Sequence, residues 1–321
     1  MKLLLLSDQH LALFKNEKFE SQKKNFFETI IQFFASLFGN RDRRLMEKMA
    51  DVVLDEDIDV AIFNGDFAEA SRTERGMNTN RDLEIISKLR DVTLKTLGIL
   101  VACFNLGNHE SGYDLPLCTD LEKGINLTAL KNFFTFAGWK NLYHSFILEN
   151  CRCIFVPYVF SEHHAKDFDL QAMKDEYLQS MSRELLESIP TVLFVHDPDS
   201  FADEKLLNLI RQHRESIKFI FFGHYHSWIN LISLRILSTI YGNDSFRLLQ
   251  SILNLVFLGL AKGDREIVRK LGEYFRERRD IPGIIKELGA ILIPAPSGTF
   301  GIGGGYFYTL DIEKMELKKH K

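Results

Sequence analysis

Four cysteines occur in 321 residues, Cys103, Cys118, Cys151 and Cys153, and their spacings make no paired zinc pattern. Reduced thiols in a cytoplasmic compartment are the simplest reading. Charge of one sign is also missing: the formal net charge is -4, which gives no support to a broad nucleic-acid-binding surface. No G-x-x-x-x-G-K-[ST] run occurs, so phosphoryl chemistry of the P-loop kind is excluded. Long apolar runs are absent as well. The uncharged run Leu248 to Ala261 falls short of the ~18–20 residues needed to span a bilayer. The opening MKLLLLSD is too short for the apolar core of a signal peptide and reads as a first strand.

What the chain does have is a recurring segment. LLLLSDQH, VAIFNGDF, LVACFNLGNHE, TVLFVHDPDS and FIFFGHYHS each set a short apolar run directly before Asp, Asn or His. Such runs suit strands buried on both faces. Between them lie segments with helical spacing, RDLEIISKLRDVTLKTL and KDEYLQSMSRELLESI, so strand and helix alternate. With 45% hydrophobic residues the chain can bury a substantial core. In α/β layers ligands sit beyond the carboxyl ends of the strands, so the polar residues at these ends are expected to converge.

The converging set is Asp8, His10, Asp66, Asn108, His109, His196, His224 and His226. Imidazole with carboxylate oxygen suits zinc, manganese or iron, whereas an all-oxygen set would suit magnesium or calcium. A lone histidine at a strand end is more often a hydrogen-bonded structural residue. The number of ligand types argues otherwise. With His109 set aside they are too many for one ion and enough for two that share a carboxylate. His144, His163, His164, His213 and His320 fall outside this set and read as surface or hydrogen-bonded residues. Gly303, Gly304 and Gly305 read as a tight turn between closing strands, because no helix follows them.

D-x-H at Asp8–His10, G-D at Gly65–Asp66, G-N-H-E at Gly107–Glu110, the lone His196 and G-H-x-H at Gly223–His226 together resemble the ordered motifs of the calcineurin-like metallophosphoesterase superfamily. The resemblance runs from residue 1 to about residue 310. It implies a four-layer α-β-β-α sandwich of two mixed sheets flanked by helices, with helical insertions forming a cap. One domain over residues 1–321 is expected, with insertions at about 17–45 and 227–290. By the same resemblance Asp8, His10 and His226 would hold one metal, Asn108, His196 and His224 a second, and Asp66 both. Manganese is the first expectation for the two divalent ions, with iron or zinc as alternatives. The implied reaction is phosphoester hydrolysis by a metal-bridging hydroxide. His109 would meet the phosphoryl oxygen or protonate the leaving group, and Glu69 would orient His109. Two vertical neighbours in the G-H-x-H pair, His224 and His226, are expected to point the same way from an extended segment. Loss of ligands would indicate a non-catalytic binding scaffold; this chain keeps all seven ligand types and His109.

Two stretches bear on the substrate. KKNFFETIIQFFASLFGNRDRR, placed on a helix at about 100° per residue, gathers Asn25, Glu28, Thr29, Gln32 and Ser36 on one narrow face and apolar side chains on the rest. Lys23, Lys24, Arg41, Arg43 and Arg44 bracket it, as in an interfacial helix; a helix packed into the fold or a dimer interface is the other reading. After His226, WINLISLRILSTIYG, LLQSILNLVFLGLAKG and REIVRKLGEYFRERR read as two or three helices leaning over the site. Both insertions favour a lipid-linked phosphodiester or pyrophosphate. Bacterial enzymes that cleave UDP-2,3-diacylglucosamine in lipid A assembly are similar in motifs, although arginine often stands where this chain has His109. Peripheral contact through 23–44 and 228–260 with the inner face of a membrane belongs to the same reading. A generic cytoplasmic phosphodiesterase or a nuclease is the alternative, and the apolar insertions do not favour nucleic acid.

Overall fold

The computed structural model of the protein describes residues 1–9, 47–67, 77, 80–111, 125–161, 165, 168–225, 228–260, 265–295 and 306–321. His10, Glu69, His226, the insertion at 17–45 and Gly303–Gly305 lie outside the described residues. In chain order the strands are β1 (Lys2–Leu6), β2 (Val60–Asn64), β3 (Val101–Asn105), β4 (His144–Leu148), β5 (Cys151–Val156), β6 (Thr191–Val195), β7 (Ile217–Phe222), β8 (Ile291–Leu292), β9 (Phe307–Asp311) and β10 (Glu316–His320). The helices are α1 (described over 47–56), α2 (Asn80–Leu97), α3 (Asn108–Ser111), α4 (Leu127–Ala137), α5 (Leu170–Leu185) and α6 (Glu204–Gln212). Four more follow: α7 (Trp228–Tyr241), α8 (Arg247–Leu260), α9 (Arg265–Glu277) and α10 (Ile281–Leu288).

The strands form two five-stranded mixed sheets, ordered β10-β9-β1-β2-β3 and β4-β5-β6-β7-β8. In the first, β1, β2 and β3 run parallel while β9 and β10 close the edge antiparallel. In the second, β5 to β8 run parallel and β4 is antiparallel. Every residue of β2, β5 and β6 is buried, which is why their sequences, Arg152 of β5 aside, are mostly apolar rather than alternating. The expected sandwich of two mixed sheets with flanking helices is the observed architecture.

Of the two closing strands, β8 lies in the second sheet and β9 in the first. The three stretches after His226 form three α-helices, α7, α8 and α9, and a fourth, α10, follows them. The fourth, α10, was hidden by IPG, but Pro282 sits in its first turn, where a missing N–H costs nothing.

The site lies where the carboxyl ends of the two sheets meet. Phe63 and Phe104 stack there with ring centres 4.9 Å apart, and Phe67 meets both edge-on at 5.1 and 5.2 Å. Such pairs contribute ~0.5–1.5 kcal/mol each beyond their burial and anchor the loop that carries Asp66.

Candidate metal centre

Asp8, Asp66, Asn108, His196 and His224 all follow the ends of parallel strands, β1, β2, β3, β6 and β7. Three of them hold left-handed backbone angles: Asp8 at φ 54°, Asp66 at φ 50° and His224 at φ 62°. That conformation is uncommon outside glycine and gathers at functional sites, where surrounding contacts sustain it. At His224 it contradicts the extended segment expected for G-H-x-H. Tyr225 N–H donates to the Gly223 carbonyl at 2.7 Å, closing a three-residue γ-turn with His224 at its strained centre.

Close approach explains the glycines. A Cβ on Gly65 would overlap the His196 ring, and one on Gly223 would overlap the Ser7 hydroxyl and the Asp8 carboxylate. Each glycine therefore makes room for a site residue of another motif.

Asp66, His196 and His224 each present a ligand-type atom, and these atoms lie within 4.8 Å of one another. His196 Nδ1 meets the Asn64 carbonyl at 2.8 Å while its Nε2 lies 3.3 Å from Asp66 Oδ2. The carbonyl fixes the proton on Nδ1 and leaves the Nε2 lone pair facing the cluster, as in metal-ligating histidines. His224 turns Nδ1 toward Asn108 Oδ1 at 3.1 Å and Nε2 toward Asp197 Oδ2 at 3.9 Å. Asp8 Oδ2 accepts from Ser7 Oγ at 2.5 Å and from His224 N–H at 3.0 Å. Asp66 Oδ1 accepts the His109 N–H at 3.0 Å, and His109 Nε2 lies 3.9 Å from Asp66 Oδ2.

The electrostatics fit a cation. Asp8 and Asp66 are 0% and 1% exposed, and burying ionised carboxylates carries a desolvation cost of several kcal/mol. Burial pushes the His196 imidazole down, but the carboxylates of Asp66 and Asp8 and the Asn64 carbonyl outweigh it and hold it up to about 10. With no cation beside these carboxylates the proton would sit on His196 Nε2, and a bound metal ion would take that proton's place at the lone pair. Asn108 sits among the same groups: with its amide nitrogen turned toward them it donates to Asp66 Oδ2 at 2.9 Å and to His224 Nδ1 at 3.1 Å.

Several working residues carried no role in the sequence reading. Glu110 Oε2 accepts from the N–H groups of Asp66 and Gly107, both at 3.0 Å. Its signal was its place in G-N-H-E. Asp197 and Asp199 stand in HDPDS, and Asp199 accepts from Tyr225 OH at 2.9 Å and from Arg278 Nε. Burial and the Asp197 carboxylate raise Asp199 while Arg278 opposes them. Arg278 itself stays charged: burial pushes it down and Asp199 outweighs the burial. Nothing in the sequence could have paired residues this far apart.

A cavity of about 360 Å³ opens from this cluster. Asp66, Asn108 and His224 form its floor, and Leu234 and Leu237 of α7 with Tyr274 and Phe275 of α9 form its walls. Its described lining contains no lysine or arginine.

A family model described as calcineurin-like phosphoesterase matches residues 1–228. The chain belongs to the calcineurin-like phosphoesterase family. The family match ends at the residue that opens α7, short of the reach to about residue 310 expected from the motifs, so the cap helices lie beyond it. Among solved structures, a dimetal phosphatase from Danio rerio is similar at 15% identity and TM-score 0.43, covering 70% of this chain and 81% of that one. The GAP50 anchor in the inner membrane complex of Plasmodium is similar at 12% identity and TM-score 0.34, covering 70% and 65%. Comparison with curated proteins found no match. Family membership and the donor cluster make the protein a metal-dependent phosphoesterase.

Proposed function

We propose that the protein hydrolyses a phosphodiester or pyrophosphate whose leaving or retained group is lipid-linked, UDP-2,3-diacylglucosamine being one such molecule. The observation that carries this reading is the cavity itself. A single space joins the donor cluster to apolar walls from α7 and α9, and its size lies within the ~300–1,000 Å³ of small-ligand sites. A nucleic acid would need cations along its path, which the described lining lacks.

Asp8, His10 and His226 are assigned to one divalent ion, Asn108, His196 and His224 to a second, and Asp66 to both, with manganese first and iron or zinc as alternatives. Bound ions of this kind supply hydroxide at neutral pH and neutralise phosphoryl oxygens. The chain's own residues do the rest. Glu110 and the Asn64 carbonyl orient Asp66 and His196. His109, at the edge of the cluster with its side chain 15% exposed, gives a proton to the departing oxygen. Leu234, Leu237 and Phe275 seat the apolar group and exclude water. A cytoplasmic location is part of the proposal, and the thiols of Cys103, Cys151 and Cys153, all free, would stay reduced there.

The test is a series of alkyl p-nitrophenyl phosphodiesters of increasing chain length. Each buried methylene contributes ~0.8 kcal/mol, so kcat/KM should rise up to roughly fourfold per carbon until the cavity fills. Leu237→Trp should flatten the rise without slowing the shortest member. A wild-type rate independent of chain length would reject the lipid-linked substrate.

A further inference from the structure

Helix α9 carries a row of like charge. At about 100° per residue Arg265, Arg269 and Arg276 fall within an arc of about 40°, and Gly272 lies in the same row. Cations stacked on one helix face repel each other, so the row calls for partners. Arg269 has them: its Nε donates to Glu266 Oε2 at 2.9 Å and its Nη1 to Glu273 Oε1 at 2.5 Å. Arg265 and Arg276 make no ion pair among the described residues.

The row faces a cavity of about 340 Å³ between α9, α8 and the end of α7, a size within the ~300–1,000 Å³ of small-ligand sites. All three arginines line it, and Glu273 is the one acid among its described lining residues. Neutral groups hold its shape. Gln250 Nε2 donates to the carbonyls of Ile240 and Asn243 at 2.7 and 3.1 Å, which ties α8 to the end of α7. Tyr241 OH donates to Asn254 Oδ1 at 2.8 Å, and this fixes the amide and leaves its Nδ2 as a donor. Gly272 completes the floor, since a Cβ there would lie 3.2 Å from the Tyr241 ring. Glycine is a poor helix former; here it lets α9 lie close against that ring.

We propose that this cavity is a second binding site, distinct from the metal centre, for a small molecule that bears a phosphoryl dianion. Two guanidinium groups without an ion pair match two negative charges, and their planar forks offer paired N–H donors to phosphoryl oxygens. Asn254 Nδ2 adds a neutral donor, and Tyr241 and Val268 offer apolar surface to an organic part. The chain as a whole has a net charge of -4, so a cationic cavity does not follow from its composition. Such a ligand joins the ends of three cap helices. Tyr241 stacks on Phe275 with ring centres 5.7 Å apart, and Phe275 lines the cavity over the metal centre, so the two cavities share an aromatic wall. The proposal does not depend on what the metal centre hydrolyses.

The experiment is isothermal titration of the manganese-loaded full chain with phenylphosphonate, which has no ester to cleave, and separately with inorganic phosphate. Metal ions also take phosphoryl oxygens, so the cap site is read as the part of the isotherm that the arginines control. Arg265→Gln with Arg276→Gln should remove one binding event or weaken it at least roughly tenfold, and leave any other as it was. Both residues lie outside the catalytic cluster, so hydrolysis of bis(p-nitrophenyl) phosphate should stay unchanged and report that the variant folds. Glu273→Gln, which removes the lining acid and releases one bond on Arg269, should tighten the same event. Tighter binding of phenylphosphonate than of phosphate there assigns the site to a phosphorylated organic molecule, and equal binding assigns it to free phosphate. A wild-type isotherm that the double arginine variant reproduces would overturn the proposal, as would weaker binding in Glu273→Gln.

Discussion

Asn105 Nδ2 lies 2.9 Å from Asn64 Oδ1, joining the last residues of two neighbouring strands in the first sheet. The same nitrogen lies 3.0 Å from the Val156 carbonyl and 2.9 Å from that of Phe194, and Asn64 Nδ2 donates to the Val195 carbonyl at 2.8 Å. Two buried amides therefore tie the carboxyl ends of both sheets together. Asn64 also offers its own carbonyl to His196, so the tie reaches the donor cluster.

Replacing Asn105 with alanine leaves buried acceptors on both sheets unpaired. That costs ~1–3 kcal/mol and loosens the strand end that orients His196. Chemical denaturation should show a lower midpoint with an unchanged slope, and metal titration should show weaker binding.

Glu110 should matter far more to metal affinity than its distance from any ligand atom suggests. One carboxylate oxygen takes the N–H of Asp66 and of Gly107, holding the left-handed turn at Asp66. Glu110→Gln keeps the shape and loses the charge-assisted bonds. A fall of roughly 10–100-fold in metal affinity is expected, read by competition with a chelator, while circular dichroism stays native.

The cap is latched to the site by Arg278, which donates to buried Asp199 and stacks on Tyr274 with 3.6 Å between guanidinium and ring centre. Tyr225, next to His224, shares the same carboxylate. Arg278→Met strands Asp199 without its cation, and removing one partner of a buried pair costs ~3–5 kcal/mol; Arg278 is 18% exposed, which puts the effect at the low end. KM for long-chain diesters should rise while kcat on bis(p-nitrophenyl) phosphate changes little. Arg278→Lys should restore part of the loss.

Acid should destabilise the protein partly through His144. Its ring stacks on Trp139 at 4.9 Å, and burial pushes its pKa below the usual value. The unfolded chain then binds a proton near pH ~6.5 that the folded chain binds only at lower pH. The stability from the neutral ring is present above that pH and lost as pH falls through the window below it. Thermal unfolding of His144→Phe should show a shallower decline between about pH 6.5 and 5 than the wild type.

The strand ends and the identity of the site were legible because burial on both faces forces apolar runs, and the polar residue after each run must then serve something. Asp66, Asn108, His196 and His224 meet for that reason. The γ-turn at His224 was not legible, since a left-handed histidine is sustained by its N–H bond to Asp8 far away in the chain. The Asn64–Asn105 tie left a readable trace, two parallel strands ending in the same amide, VAIFN and VACFN. Arg278 left none, because one arginine within the charged run RERRD looks like solvated surface until Asp199 is found beneath it.

The central claim is that these strand ends hold divalent metal for phosphoester hydrolysis. Elemental analysis of the full chain after manganese reconstitution and desalting tests it most directly. About two ions per chain are expected, reduced in Asp66→Asn. A wild-type protein that retains no stoichiometric metal would contradict the account.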